Sequence, residues 1–182
     1  MSEHVATPGQ TVGPFFGDAL PYPRDHELVL PTDPRALRLH GTVFDGAGDP
    51  VPDALLEIRQ ADRSGVVPHR EGSLRRDAAV FTGWGRCATA ADGRYSFTTI
   101  APGPIRAAAP FFAVAVFARG LLNRLFTRAY LPGSSDALLD SLPPGERATL
   151  IAERDGEHDL RFDVNLQGER QTVFLRYPRH PQ

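Results

Sequence analysis

APGPIRAAAPFFAVAVFARG, residues 101–120, contains the run that decides the fold. Within it FFAVAVFA (111–118) is apolar at every position. A strand with one wet face alternates apolar with polar residues, and this run does not alternate. It reads as a central strand covered on both sides, the core of a sheet.

The segments around it supply further strands. Gly and Pro number 17 each and fall between short apolar runs, the spacing of turns that link strands. LRLHGTVFD (37–45) alternates and passes through the turn-rich GAGDPVPDA into LLEIRQAD (55–62), an expected antiparallel pair. GWGRCATA (83–90) runs into the turn ADG and out through RYSFTTIAPG (94–103), a second expected pair carrying the Asp-Gly hairpin signal. LLNRLFTRAYL (121–131) reads as a further strand with a bulge, and LRFDVNLQG (160–168) with QTVFLRY (171–177) as a closing pair. SSDALLDSLPPGERATLIAER (134–154) holds the helical turns, around ALLDSL and ERATLI. The expectation is an all-β chain, an antiparallel β-sandwich with a long irregular N-terminal arm and short helical segments near 134–154. It forms a single domain over 1–182, with the arm at 1–36 and the sandwich at 37–182. The arm's TPGQTVGPFFGDALPYPRD carries Phe15, Phe16 and Tyr22, aromatics that need cover from a partner subunit or from the outside of the sandwich.

Composition narrows the function classes. A net charge of -2, with 20 basic residues that are all Arg and scattered, gives no nucleic-acid footprint. No apolar run approaches the roughly 20 residues that cross a bilayer. MSEHVATPGQ lacks the layout of a signal peptide, so a cytoplasmic chain is expected. Cys87 is the only cysteine, which excludes an intrachain disulfide and fits a buried structural thiol. His4, His26, His40, His158 and His180 are scattered with no metal spacing. No phosphate loop, catalytic Ser/His/Asp arrangement or carboxylate pair stands out.

Several blocks taken together carry a resemblance: TPGQTVGPFF (7–16), GTVFDGAGDPVPDALLEIRQAD (41–62), GWGRCATAADGRYSFTTIAPGP (83–104), FARG (117–120), TRAYLPG (127–133) and RFDVNLQGERQTVF (161–174). In this order, over nearly the whole chain, they resemble the intradiol ring-cleavage dioxygenases. The resemblance implies catechol cleavage with O₂ at a ferric ion held by two tyrosines and two histidines, phenolate being a hard donor that favours Fe(III). Laid on this sequence, the four ligand positions fall at Val67, Ile105, Phe111 and Ala113, all apolar. The nearest remaining donors are His69, in a polar loop, and Tyr95, alternating with Phe97 in a strand.

The resemblance therefore implies an iron-free alpha chain with no catalytic or metal residue of its own, inactive alone. Its partner would be a homologous iron-binding beta subunit in a hetero-oligomer acting on a carboxylate-bearing catechol. Carried over residue by residue, Thr11, Gly13, Pro14 and Phe15 in the arm would line the partner's substrate site, and Arg119 would approach it. A Gly-Pro pair suits a wall beside a planar ring, the glycine allowing close backbone approach and the proline fixing the turn. A turn without ligand contact is the other reading of the arm, and a structural ion pair the other reading of Arg119 and of Arg128. The middle blocks also mark transthyretin-like sandwiches, which leaves a non-enzymatic binding module as an alternative. A degenerate homo-oligomer without a catalytic partner is another.

Overall fold

The computed structural model describes residues 15–69 and 80–177. A short helix, α1 (Phe15–Ala19), precedes β1 (Ala36–Phe44), β2 (Leu55–Arg59), β3 (Trp84–Ala88), β4 (Arg94–Ile100), β5 (Phe111–Phe117) and β6 (Leu125–Tyr130). Two helical turns follow, α2 (Ala137–Asp140) and α3 (Pro144–Ala148), within the expected segment, then β7 (Glu153–Arg154), β8 (Asp159–Arg161) and β9 (Val164–Asn165). One sheet runs β4-β1-β8-β7 with β9 also on β1, and the other runs β3-β2-β5-β6. Leu39, Val43, Phe97 and Leu160 of the first sheet share one core cluster with Leu56, Ile58, Phe112, Val114 and Val116 of the second. The two sheets thus pack through their alternating inward residues.

Three expected pairings differ from the structure. β1 pairs with β4 and β2 with β3 and β5, so 37–45 and 55–62 lie in different sheets. Asp92-Gly93 does make a tight turn, with Gly93 at φ 73° and its amide 2.9 Å from the Ala90 carbonyl. Yet the strands it joins part into different sheets. A turn settles only the reversal of direction, whereas the seven paired positions between β1 and β4 settle the partner. At the C-terminus, β8 and β9 run parallel to β1, which makes the first sheet mixed rather than antiparallel. The 171–177 run forms no named strand. It leans on β9 through Thr172 N to Asn165 O (3.0 Å) and on β6 through Leu175 N to Phe126 O (2.7 Å).

The 111–118 run is central, as expected, but its two faces differ. Phe112, Val114 and Val116 point into the core at 3% exposure or less. Phe111, Ala113, Ala115 and Phe117 are half-buried on the outer face. There Phe111 packs on a second cluster of Tyr130, Leu139 and Leu150, and Phe117 meets Phe16 with ring centroids 6.1 Å apart. The outer face is covered at its ends, with alanines between.

The described part of the arm closes one side of the molecule, where β3 and β4 are the sheet edges. Arg86 on β3 donates from Nη1 to the Leu20 carbonyl at 2.8 Å, and Tyr22 stacks on Trp84 at 6.4 Å. On β4, Thr98 exchanges backbone bonds with Leu28 (2.8 Å) and His26 (3.0 Å). Leu28 enters the core, so the arm contributes apolar area as well as cover. Gly85 makes room for it, since a Cβ there would lie 2.4 Å from Leu28 Cδ1. Buried Gln60 ties the sheets together from within, its Nε2 donating to Ile100 O at 2.9 Å and its Oε1 accepting from Thr99 Oγ1 at 2.5 Å.

Candidate functional site

Two regions of the second sheet gather the residues the sequence singles out. The first is the outer face at Phe111 and Ala113. In the register of that sheet Trp84, Arg59, Ala113 and Arg128 form one row across β3, β2, β5 and β6, and Phe111 faces Tyr130 in the next. Directly opposed residues share a face, so both arginines stand on the side of Ala113. Arg128 lies with its Cζ 4.2 Å from the Phe111 ring centroid and donates from Nη1 to the Tyr130 hydroxyl at 2.9 Å. Arg59 donates from Nη2 to the Pro68 carbonyl at 3.3 Å.

The loops carrying Val67 and Ile105 meet each other. A Cβ at Gly65, itself at φ 84°, would lie 2.1 Å from the Pro104 carbonyl oxygen, and Gly103 N donates to Asp62 O at 2.7 Å. Pro68, beside Val67, receives the Arg59 guanidinium. The loops of Val67 and Ile105 thus lie against each other and reach the Ala113 row through Arg59, and the side chains at the four positions do not fit a metal ion. Valine, isoleucine, phenylalanine and alanine offer no lone pair to a cation, and two guanidinium groups flank the central alanine. Among the described residues no group of three His, Cys, Asp or Glu side chains converges as metal ligands.

The remaining donors do other work. Tyr95 is buried, its hydroxyl donates to the Phe162 carbonyl, and burial drives its pKa well above the ordinary value of 10.0. His69 is exposed. Tyr130 is buried, and burial raises its pKa against the lowering effect of Arg128. Burial also works against the charge of Asp136. The amides of Leu139, Ala109 and Leu138, with the Tyr130 hydroxyl, outweigh it and hold its pKa below the ordinary 3.8. Cys87 is partly buried, and desolvation pushes its thiol up to about 11.

The second region is the corner at the C-terminal end of β5. Arg119 follows the strand, and its Nε lies 3.1 Å from Asp53 Oδ2 with its side chain 62% exposed. This is a structural ion pair, the other reading of Arg119, and among the described residues it engages one edge of the guanidinium. Asp53 has one buried oxygen, Oδ1, without a hydrogen-bond partner among the described residues. The helix α1 reaches the same corner: Phe16 packs on Phe117, and the Cα of Gly17 approaches so that a Cβ would lie 4.0 Å from the Asp53 carbonyl oxygen. The structure thus brings the start of α1, Asp53 and Arg119 together. Thr11, Gly13 and Pro14 lie outside the described residues, and Phe15 is described only as the first residue of α1.

The sequence reading missed Asp53 and Arg59. Both had a faint signal: Asp53 is an acid in the DPVPDA turn, and Arg59 follows Glu57 on the polar face of LLEIR.

A family profile described as Dioxygenase matches residues 12–115, more than half of the chain. With the motif order and the two-sheet fold, it defines the class: the chain belongs to the intradiol ring-cleavage dioxygenase family. It is 38% identical to the protocatechuate 3,4-dioxygenase alpha chain of Burkholderia cepacia, over 96% of this chain and 99% of that one. The protocatechuate 3,4-dioxygenase beta chain of the same organism is 31% identical, over 90% of this chain and 80% of its own length. Among solved structures, the dioxygenase domain of a carbohydrate-binding fusion protein from Streptomyces sp. SirexAA-E superposes with a TM-score of 0.61 at 29% identity, covering 89% of this chain and 98% of that one. The transthyretin-like alternative finds no support in these matches.

Proposed function

We propose that the chain is the alpha subunit of a protocatechuate 3,4-dioxygenase, assembled with a homologous beta subunit that holds the iron. The complex cleaves protocatechuate with O₂ to 3-carboxy-cis,cis-muconate. The observation that carries this reading is the conjunction of family membership with a ligand region made of Val67, Ile105, Phe111 and Ala113 between two arginines. Those four side chains offer Fe(III) no donor, and a relative bearing the name of a beta chain points to the kind of partner that would.

This chain's share in catalysis is to shape the partner's pocket. Thr11, Gly13, Pro14 and Phe15 form a wall against the planar substrate, and Arg119 offers the free edge of its guanidinium to the substrate carboxylate. The docking of α1 beside Asp53 and Arg119 supports treating arm and arginine as one unit. Asp53 is then the positioning residue, holding the guanidinium by its Nε at 3.1 Å.

The test is co-expression with a beta chain followed by kinetics on the purified complex. Arg119→Gln is expected to raise KM for protocatechuate by about tenfold, the loss of one charge-assisted hydrogen bond, while KM for catechol, which has no carboxylate, stays unchanged. An equal effect on both substrates would remove Arg119 from carboxylate recognition. Failure of the two chains to co-purify would remove the whole reading.

A further inference from the structure

We infer that the trough across the outer face of the first sheet is a binding site for a neutral polyhydroxylated ring, a sugar or a cyclic polyol. It lies on the opposite side of the sandwich from the Ala113 row and takes no part in the service this chain gives a partner.

The trough begins in the alternation of two strands. Leu39 and Val43 of β1 and Tyr95, Phe97 and Thr99 of β4 face inward and are buried, which turns Arg38, His40, Thr42, Ser96 and Thr98 to the outside. Ser96 and Thr98 are short, and taller rims stand on either side of them. Beyond β4 the rim is Pro21, Asp25 and His26 of the arm, and across the sheet it is Asp155 in the turn between β7 and β8. The open space between them measures about 990 Å³. In register Thr98 faces Arg38, Ser96 faces His40 and His40 faces Arg161, so hydroxyl, imidazole and guanidinium alternate across the floor. Neighbouring strands set these groups about 4.8 Å apart, close enough for one six-membered ring to meet several at once.

The lining balances its charge. Arg38, Arg94 and Arg161 stand against Asp25, Asp155 and Asp163. Each guanidinium has a carboxylate beside it, Asp159 at 2.9 Å, Asp92 at 3.4 Å and Glu153 at 2.5 Å respectively, and His40 Nε2 lies 3.1 Å from Asp155 Oδ2. An anion would compete with those carboxylates and a cation with those arginines, whereas a neutral molecule displaces neither. The lining also holds hydroxyls in reserve. Thr89, Thr99 and Thr127 donate theirs to protein acceptors. Those of Thr42, Ser96 and Thr98, half-buried in the floor, make no hydrogen bond among the described residues. A ligand hydroxyl both donates and accepts, so it matches a spare hydroxyl, a carboxylate and a guanidinium alike. Phe44 at one end, with Pro21, Ala88 and Ala90 along the wall, gives the C–H face of the ring apolar cover.

Saturation-transfer NMR on the full chain, titrated with maltose and with myo-inositol, tests this, with inorganic phosphate as the anionic comparator. At least one of the two polyols is expected to bind saturably, and phosphate should not displace it. Ser96→Ala and Thr98→Val should each weaken that binding by about two- to tenfold, the worth of one neutral hydrogen bond. Thr32→Val, which removes an exposed hydroxyl outside the trough, should change nothing. Thr98→Val keeps the side chain's shape and its preference for a strand, so it carries the test alone should Ser96→Ala fail to fold. If the chain is soluble only with its partner, the titration runs on the complex, where excess protocatechuate should leave polyol binding unchanged. No saturable binding of either polyol, displacement by phosphate or by protocatechuate, or affinity unmoved by Thr98→Val would overturn the inference.

Discussion

Gln60 is 2% exposed, just after β2 and bonded to the end of β4, and a buried amide is stable only when its polar atoms are matched. Its partners are the carbonyls of Ala61 and Ile100 and the hydroxyl of Thr99, which is itself wholly buried. Gln60→Ala strands these groups without water and should lower unfolding stability by about 1–3 kcal/mol in chemical denaturation. Gln60→Glu would place a charge in the same position and should be worse. Cys87 gives a second test at this scale. Because burial lifts its thiol to about 11, it carries almost no thiolate near neutrality. The native chain should resist iodoacetamide at pH 8 and react only when unfolded; rapid labelling of the native chain would contradict the burial described.

At the scale of elements, the short helices depend on their caps more than on their length, since one or two turns do not sustain themselves. Asp136 caps α2 by accepting from Leu138 N and Leu139 N, both at 3.0 Å, and reaches Ala109 N at 3.1 Å in the segment leading to β5. Its carboxyl is held below the ordinary 3.8, so its contribution is complete above that value and disappears as pH falls through the lowered folded-state pKa. Asp136→Ala should cost about 0.5–2 kcal/mol at neutral pH. The gap between variant and wild type should close on acidification below pH 3.8. A gap that stays constant into strong acid would assign the loss to something other than the charged cap.

The elements also mark what the sequence could tell. The strand at Phe111–Phe117, the alternation in β1 and the helical turns after Asp136 are local patterns, and they were legible. Partners were not, because pairing depends on registers between segments distant in the chain: Arg38, for instance, pairs with Asp159 across 121 residues. The site divides the same way. The four apolar positions could be named from motif alignment alone, while the row Arg59–Ala113–Arg128 exists only once three strands are in register. Arg119 could be singled out by its place after the apolar strand; its partner Asp53 could not, since the two are 66 residues apart.

On the scale of the whole molecule, the chain has the two-sheet fold of its family, with Val67, Ile105, Phe111 and Ala113 at the positions where the resemblance puts metal ligands. What it retains is the arm, which spans both sheet edges and brings α1 to the Arg119 corner. On the proposed reading the fold serves support rather than metal chemistry, so chelator treatment of the isolated chain is expected to leave its thermal unfolding midpoint unchanged. The central claim is that the ring-cleaving metal belongs to the partner. It is tested most directly by counting iron in the purified alpha–beta complex beside the chain purified alone. The account predicts one iron per alpha–beta pair and none in the chain by itself, with ring cleavage only in the complex; two irons per pair, or stoichiometric iron in the isolated chain, would contradict it.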